Sequence, residues 1–215
     1  MSDRWIRADW QAPDNVIAGT TLRSGDIAVI QPRGLKCWLN QVHGATVVEA
    51  RTYETAPEAD ASISRDPEVV CVVRTADCLP VLFAARDGSE VAAAHAGWRG
   101  LAAGILENTV AAMRTAPADL LAWFGPAISQ PNFEVGDEVR EAFTASDAGA
   151  AACFVPNERG RWQADLYALA RRRLQSAGID RVSGGGLCTF ADPERYFSYR
   201  RNAETGRLVS FVALK

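Results

Sequence analysis

Residues 79–95 read Leu-Pro-Val-Leu-Phe-Ala-Ala-Arg-Asp-Gly-Ser-Glu-Val-Ala-Ala-Ala-His. Two apolar runs, Val81–Ala84 and Val91–Ala94, flank a polar segment that contains an Asp-Gly pair. Asp-Gly is typical of the tight turn of a β-hairpin, and short apolar runs bounded by such turns are typical of buried strands. The stretch therefore predicts an antiparallel hairpin, which brings the region of Cys78 close to His95.

Further strands are predicted by apolar runs of the same kind at Ile27–Ile30, Thr46–Val48, Val69–Val73, Leu120–Phe124 and Leu208–Val212.

Helices are predicted by apolar residues spaced three or four apart. This spacing runs from Ala102 to Met113 and indicates a helix that begins near Gly100. It recurs from Leu166 to Ala177, where Asp165 is the predicted N-cap and Gly178 the predicted stop.

The interleaving of strands and helices around a hairpin predicts an α+β (mixed α/β) fold, a sandwich of mixed β-sheets flanked by helices. We find no linker rich in Ser or Pro and no repeat of solenoid period, so a single domain over residues 1–215 is expected. A chain of this length buries a large core without the help of a metal ion.

The charge balance of 23 basic and 26 acidic side chains gives a net charge of −3, which provides no overall attraction to nucleic acid or anionic membranes. No segment has the length and apolarity of a membrane span or signal peptide. The five cysteines are scattered and odd in number, which favours reduced thiols. We predict a cytoplasmic protein with small-molecule ligands, no nucleic-acid or membrane partner, and a monomeric or small homo-oligomeric state.

The only two histidines, His43 and His95, lie in segments rich in glycine and polar residues, and Cys78 follows the end of an apolar run. Two imidazoles and a thiolate are suitable zinc ligands, and three protein ligands leave the fourth tetrahedral position open, as in catalytic sites. Cys188 could close the site as a fourth ligand. Two satisfied histidines and an inert thiol are the simpler alternative, and the residues alone leave all three possibilities open.

Several motifs occur in an order that resembles a known family. They are Asn40-Gln-Val-His-Gly44, Thr75-Ala-Asp-Cys-Leu-Pro80, His95-Ala-Gly-Trp-Arg-Gly100, Phe124-Gly-Pro-Ala-Ile128, Phe133-Glu-Val-Gly136, Cys188-Thr189 and Tyr196-Phe-Ser-Tyr-Arg-Arg201. Together they resemble the YfiH, or laccase-domain, family from about Asn40 to Phe211. The segment between Gly25 and His43 looks shorter than is usual in that family.

The resemblance implies an α/β sandwich enzyme with one Zn²⁺ ion held by His43, Cys78 and His95. It implies phosphorolysis of purine nucleosides, including S-methyl-5'-thioadenosine, and deamination of adenosine. The family has also been associated with copper and polyphenol oxidation, so Cu²⁺ is an alternative ion. Two histidines cannot supply the many imidazoles of a multicopper centre.

Two other classes of protein are compatible with the same residues. A cysteine hydrolase acting on amides of cell-wall peptide precursors would use Cys78 as nucleophile and His95 as base, with no metal. A non-catalytic module would instead close its zinc site with Cys188.

Other candidate residues follow from the proposed chemistry. Asp77 is adjacent to Cys78 and is a candidate proton shuttle for deamination, or else a partner that orients a ligand. Arg99 is a candidate for phosphate, together with the backbone amides of Gly97–Gly100 at a helix start.

Four residues are weaker candidates for contact with the nucleoside. Arg200 and Arg201 are second candidates for phosphate or ribose. Trp98 and Tyr199 could stack on a purine, although an aromatic side chain in a sandwich is more often part of the core.

Overall fold

The computed structural model describes residues 4–28 and 34–215, which contain fourteen β-strands and four α-helices. The strands are β1 (Trp5–Arg7), β2 (Val16–Thr21), β3 (Leu35–Cys37), β4 (Val47–Glu49), β5 (Ala61–Ser64), β6 (Val69–Thr75), β7 (Leu79–Ala85), β8 (Val91–Ala96), β9 (Leu120–Phe124), β10 (Glu134–Val135), β11 (Phe154–Pro156), β12 (Trp162–Ala164), β13 (Val182–Gly184) and β14 (Leu208–Leu214). The helices are α1 (Trp98–Ala102), α2 (Ile105–Ala112), α3 (Asp137–Thr144) and α4 (Leu166–Ser176). Short 3₁₀ helices occupy Pro117–Asp119, Gln130–Asn132 and Ala148–Cys153.

Two mixed sheets form the sandwich. The five-stranded sheet has the order β1-β2-β14-β6-β3 and is antiparallel except for the β3–β6 pair. The six-stranded sheet has the order β13-β9-β7-β8-β5-β4 and is antiparallel except for its two outermost pairs. A third, antiparallel sheet contains β10, β12 and β11. The predicted fold class, a sandwich of mixed sheets with helices, is confirmed.

The predicted hairpin is strands β7 and β8, in which Pro80 lies opposite His95. Every residue of both strands is buried, because the hairpin is covered on both faces. Successive side chains point to opposite sides of a sheet. Leu82 accordingly packs between the two sheets, whereas Val81 and Phe83 pack towards the helices. This central position fixes the ends of the hairpin, where Cys78 and His95 lie.

The second predicted helix is confirmed as α4, whose N-cap Asp165 accepts a hydrogen bond from the amide of Ala168 at 2.9 Å. The prediction of one helix from near Gly100 to Met113 was wrong, because α1 and α2 are separate helices. They are separated at Gly104, whose φ of 92° lies in the left-handed region that glycine adopts without strain.

The strand predicted at Ile27–Ile30 is also not observed in the part that the structure describes. Ile27 and Ala28 lie in a turn, in which the carboxylate of Asp26 accepts a hydrogen bond from the amide of Ala28 at 2.8 Å. Such side-chain bonds favour turns over strands. The last two residues of the predicted strand, Val29 and Ile30, lie outside the described residues.

All five cysteines have free thiols, as predicted, and Cys37, Cys71 and Cys153 are buried.

The longest helix of the described residues is α4, with 11 residues. None of the described helices combines the length and the apolarity that crossing a bilayer requires.

Candidate metal centre and ligand cavity

The three predicted metal ligands come together at the end of the β7–β8 hairpin. One potential ligand atom from each of His43, Cys78 and His95 lies within 4.8 Å of the other two. The two imidazole rings are 4.9 Å apart between centroids and meet edge to face, with an interplanar angle of 72°. Within residues 4–28 and 34–215, no other group of three or more such side chains is close enough to hold an ion.

Each ligand is supplied by a different element of the fold. His95 is on β8, Cys78 immediately precedes β7, and His43 lies in the loop before β4. His43 has a φ of 60° and Asp77, which precedes Cys78, has a φ of 98°. Positive φ is uncommon outside glycine and is typical of sites where function fixes the backbone. Both unusual conformations therefore occur at the cluster.

A buried carboxylate, Asp60, holds two of the three ligands. Its Oδ1 lies 2.8 Å from Nδ1 of His95. An ionised carboxylate can only accept, so Nδ1 donates this bond and leaves Nε2 available as a ligand atom. The same carboxylate accepts the backbone amides of Val42, His43 and Gly44 at 3.3, 3.0 and 2.7 Å. A carboxylate behind a ligating histidine is the usual arrangement in metal sites.

The electrostatics of the cluster favour a thiolate. Burial opposes ionisation of Cys78, but hydrogen bonds with His43 and His95 outweigh it and lower the pKa of the thiol to about 6. Burial likewise opposes charge on His95, but hydrogen bonds with Asp60 and Cys78 raise its pKa to about 9. The pKa of Asp60 is lowered despite burial, through bonds with His95 and the backbone. The thiolate is the form that ligates metals and acts as a nucleophile.

The backbone of Gly97 lies close to the side chains of Cys78 and His43. A Cβ at this position would lie 2.9 Å from Sγ of Cys78 and 3.1 Å from Cδ2 of His43. Any other side chain would therefore displace the thiol or the imidazole. This spacing and the donor set fit a metal ion with three protein ligands.

Cys188 does not join the cluster. Its sulfur instead accepts hydrogen bonds from the amide of Ser129 and the side chain of Asn132, both at 3.4 Å. The predicted alternative of a closed site with Cys188 as fourth ligand is not what the structure shows.

A cavity of about 870 Å³ opens on the cluster. Eighteen residues line it: Gln41, His43, Arg74, Thr75, Ala76, Asp77, Cys78, His95, Gly97, Trp98, Arg99, Ile128, Phe133, Leu166, Tyr199, Arg200, Thr205 and Arg207. Its size is typical of small-molecule sites, and its lining combines apolar side chains with many polar and charged ones.

Most of the predicted substrate residues line this cavity. Arg99 is exposed and stacks on Trp98 at 4.5 Å, and Tyr199 is 57% exposed. Arg200 stacks on Phe133 at 5.6 Å and donates from Nη1 to the carbonyl of Glu134.

Arg201 is not among the lining residues. Its guanidinium donates to the carbonyls of Thr189, Phe190 and Tyr196 at 2.7–2.8 Å. It therefore stabilises the backbone of its own loop.

The carboxylate of Asp77 is engaged by the segment that contains Arg200. It accepts hydrogen bonds from the hydroxyls of Thr189 and Ser198 at 2.6 and 3.0 Å, and from the amide of Arg200 at 2.7 Å. Both carboxylate oxygens of Asp77 therefore accept hydrogen bonds. The arrangement ties the loop at residues 189–200 to the turn that precedes Cys78.

Asp60, Arg74 and Arg207 are site residues that sequence reasoning missed. Asp60 is a single carboxylate in a segment without periodicity, 35 residues from His95. Arg74 lies between the predicted strand Val69–Val73 and the motif Thr75–Pro80, at the end of an apolar run, a position where polar groups are often displayed. Arg207 carried no comparable signal.

The fold and the cluster together define an α+β sandwich protein in which a His-Cys-His cluster suited to a metal ion opens on a cavity. The chain belongs to the family described as "Multi-copper polyphenol oxidoreductase laccase", whose model matches residues 15–215.

Named relatives are similar over most of their length. The chain is 48% identical to "Purine nucleoside phosphorylase PA4543" of Pseudomonas aeruginosa, over 98% of each chain. It is 53% identical to "Purine nucleoside phosphorylase YfiH" of Escherichia coli, over 82% of this chain and 73% of that protein. The first alignment spans 239 positions, more than the 215 residues of this chain, so that relative has residues without a counterpart here.

A solved structure shows the same fold. The crystal structure of Neisseria meningitidis protein NMB0706 superposes with a TM-score of 0.93 at 41% identity, over 99% of this chain and all of that one. The resemblance to the YfiH family inferred from the motifs is therefore confirmed.

Proposed function

We propose that this chain is a zinc-dependent purine nucleoside phosphorylase. Its substrates would be adenosine, inosine and S-methyl-5'-thioadenosine, which phosphate converts to the free base and a sugar 1-phosphate. The observation that carries the proposal is the His43–Cys78–His95 cluster beside an arginine-lined cavity. Names of relatives over nearly the whole chain support the reaction class. The five free thiols support the proposed cytoplasmic location.

Zinc is the ion that best matches the donor set, because a thiolate and two imidazoles suit its preference for N and S ligands in a tetrahedral site. A bound zinc ion would supply Lewis-acid charge beside the cavity. The multicopper chemistry in the family description lacks its ligands here, since both histidines of the chain are already in this one cluster.

Arg99 is the residue that we propose holds phosphate. In phosphorolysis a phosphate oxygen attacks C1' of the sugar while the bond from C1' to the purine nitrogen breaks. Arg99 has no acidic partner among the described residues and lines the cavity, so its guanidinium is available for a charge-assisted bond. The first amides of α1 have no acceptor within the helix, and Gly97 at its N-cap provides no side-chain cap.

The purine is proposed to lie between the aromatic residues of the cavity wall. Trp98 is partly buried against the core and also lines the cavity, so its position is fixed. Tyr199 is mostly exposed at the same cavity. A large ring that is exposed next to a cavity can stack on a ligand at little cost in conformational entropy.

Deamination of adenosine is proposed as a second activity. It requires proton transfer to the leaving ammonia, and Asp77 is the acidic residue at the cavity. Its three hydrogen bonds argue more strongly for a positioning role, in which it holds Arg200 and Tyr199 against the site.

The second candidate function is the cysteine hydrolase, which the lowered pKa of Cys78 favours. The two functions differ in their need for metal. A hydrolase would cleave its amide in the presence of a chelator, whereas the phosphorylase would lose activity.

Product analysis tests the proposal. Metal-replete protein is incubated with adenosine, inosine or S-methyl-5'-thioadenosine, with and without phosphate, and the products are separated by chromatography. Phosphate-dependent release of base and sugar 1-phosphate is expected, and His95→Ala should abolish it. Inosine formed from adenosine without phosphate would show deamination. A sample that does neither, yet cleaves a peptide amide in chelator, would establish the hydrolase instead.

A further inference from the structure

The cavity is strongly positive in a chain that is acidic overall. Four arginines line it, at positions 74, 99, 200 and 207, whereas the chain as a whole has a net charge of −3. Of the described residues that line the cavity, Asp77 alone carries a carboxylate, and its oxygens already accept three hydrogen bonds. A cavity of one sign raises the local concentration of ligands of the opposite sign.

This charge exceeds what the proposed reaction needs. A purine nucleoside is neutral, and its phosphate co-substrate is one small dianion. The proposed reaction assigns this phosphate to Arg99, with Arg200 as the second candidate. It assigns no role to Arg74 or Arg207, both of which line the cavity.

The sheet places Arg74 and Arg207 together. In the antiparallel pair of β6 and β14, Arg74 lies opposite Val209, and Arg207 immediately precedes Leu208, the first residue of β14. Both line the same cavity, so they form a pair at one end of the β6–β14 ladder.

Both arginines are held in place without an acidic partner. Gln41 fixes the backbone of Arg74, accepting from its amide at 2.8 Å and donating to its carbonyl at 2.9 Å. The guanidinium of Arg74 stacks on Trp38 at 6.0 Å, and that of Arg207 stacks on Tyr199 at 6.0 Å. Neither forms an ion pair with a described residue. Side chains that are restricted before binding lose less conformational entropy when a ligand binds.

We propose that Arg74 and Arg207 form a second anion subsite, which binds the 5'-phosphate of a purine nucleoside 5'-monophosphate. Planar guanidinium groups match the geometry of phosphate oxygens and bind them in pairs. The inference rests on the proposed phosphorolysis. The same displacement on a nucleotide forms a bond between C1' and a phosphate oxygen, breaks the bond from C1' to the base, and yields free base and ribose 1,5-bisphosphate.

The test compares AMP with adenosine on metal-loaded protein by isothermal titration calorimetry. AMP is expected to bind about tenfold to a hundredfold more tightly, the range for one charged hydrogen bond. Arg74→Gln and Arg207→Gln should each remove most of this difference. Arg86→Gln is the matched control, because Arg86 is an exposed arginine outside the cavity, and it should leave the difference intact.

Three outcomes decide the proposal. AMP that binds no more tightly than adenosine, on protein that cleaves adenosine, overturns the second subsite and leaves phosphorolysis standing. AMP affinity that falls in Arg99→Gln but not in Arg74→Gln or Arg207→Gln also overturns it, because the 5'-phosphate then occupies the co-substrate position. Arginine-dependent AMP binding without cleavage of AMP or adenosine supports the subsite and refutes phosphorolysis.

Discussion

Oδ1 of Asp60 lies 2.8 Å from Nδ1 of His95, and the same buried carboxylate accepts the backbone amide of His43. One side chain thus orients two of the three ligands in the cluster, one through its imidazole and the other through its backbone. Asp60 does not line the cavity and is not one of the three candidate ligands. Its expected contribution is to fix the ligands before an ion arrives.

Asp60→Asn is therefore expected to lower zinc affinity by about tenfold to a hundredfold, the usual cost of losing a carboxylate behind a ligating histidine. Competition with a chromogenic chelator measures the affinity. The matched control is Glu90→Gln, since Glu90 is a carboxylate that is 1% exposed and ion-paired with Arg65, away from the cluster. The control should alter thermal stability only. Equal zinc affinity in Asp60→Asn and wild type would contradict the role.

Cys78→Ala is expected to remove stoichiometric zinc, because only two imidazoles would then face the ion. Cys188→Ala is the matched control, as its thiol bonds with Ser129 and Asn132 outside the cluster. Mass spectrometry of both variants measures the number of zinc ions bound per chain. Zinc retained in Cys78→Ala, or lost in Cys188→Ala, would refute the three-ligand assignment.

The sequence revealed the features that have local signals. The hairpin was predictable from the Asp-Gly turn between two apolar runs, and α4 from its N-cap and spacing. The break at Gly104 was missed because an apolar pattern with helical spacing continues across it. Tertiary geometry, not periodicity, sets the left-handed backbone there.

The site was predictable only in part for a related reason. His43, Cys78 and His95 stood out as rare residue types in segments rich in glycine and polar residues. Asp60 and Arg207 are common residue types whose roles depend on partners distant in the chain. Only the pairing of β6 with β14 brings Arg207 beside Arg74.

Gly97→Ala is expected to weaken zinc binding by disturbing the cluster, since the added Cβ would lie 2.9 Å from Sγ of Cys78. Gly44→Ala is a control in the same region, because its Cβ would have no heavy atom nearer than 3.5 Å. Zinc titration and thermal melting of both variants separate local from global effects. A Gly97→Ala protein with wild-type zinc affinity would show that the thiol and the imidazole can move apart freely.

Arg99→Ala is expected to raise the KM for phosphate by about tenfold to a hundredfold, because a charged hydrogen bond is worth roughly 1.5–3 kcal/mol. Zinc content should not change, since Arg99 is not a ligand. Steady-state kinetics at varied phosphate concentration measure the effect, with Arg86→Ala as the surface control. An unaltered KM for phosphate would instead indicate that Arg200 holds the phosphate.

Asp77→Asn distinguishes a proton shuttle from a positioning residue. A shuttle would lose about 10²–10⁴ in kcat with little change in KM. The three hydrogen bonds from Thr189, Ser198 and Arg200 lead us to expect the opposite. An amide group keeps one acceptor oxygen but turns its NH₂ towards donors, so the loop that presents Arg200 should loosen.

The expected result for Asp77→Asn is therefore a rise of about tenfold in the KM for phosphate or nucleoside, a smaller fall in kcat and an unchanged pH–rate profile, because one charged hydrogen bond is lost while no titrating group leaves the reaction. Steady-state kinetics across a range of pH measure all three quantities. Loss of one limb of the profile, together with a kcat reduced by two decades or more, would instead identify Asp77 as the acid of the reaction.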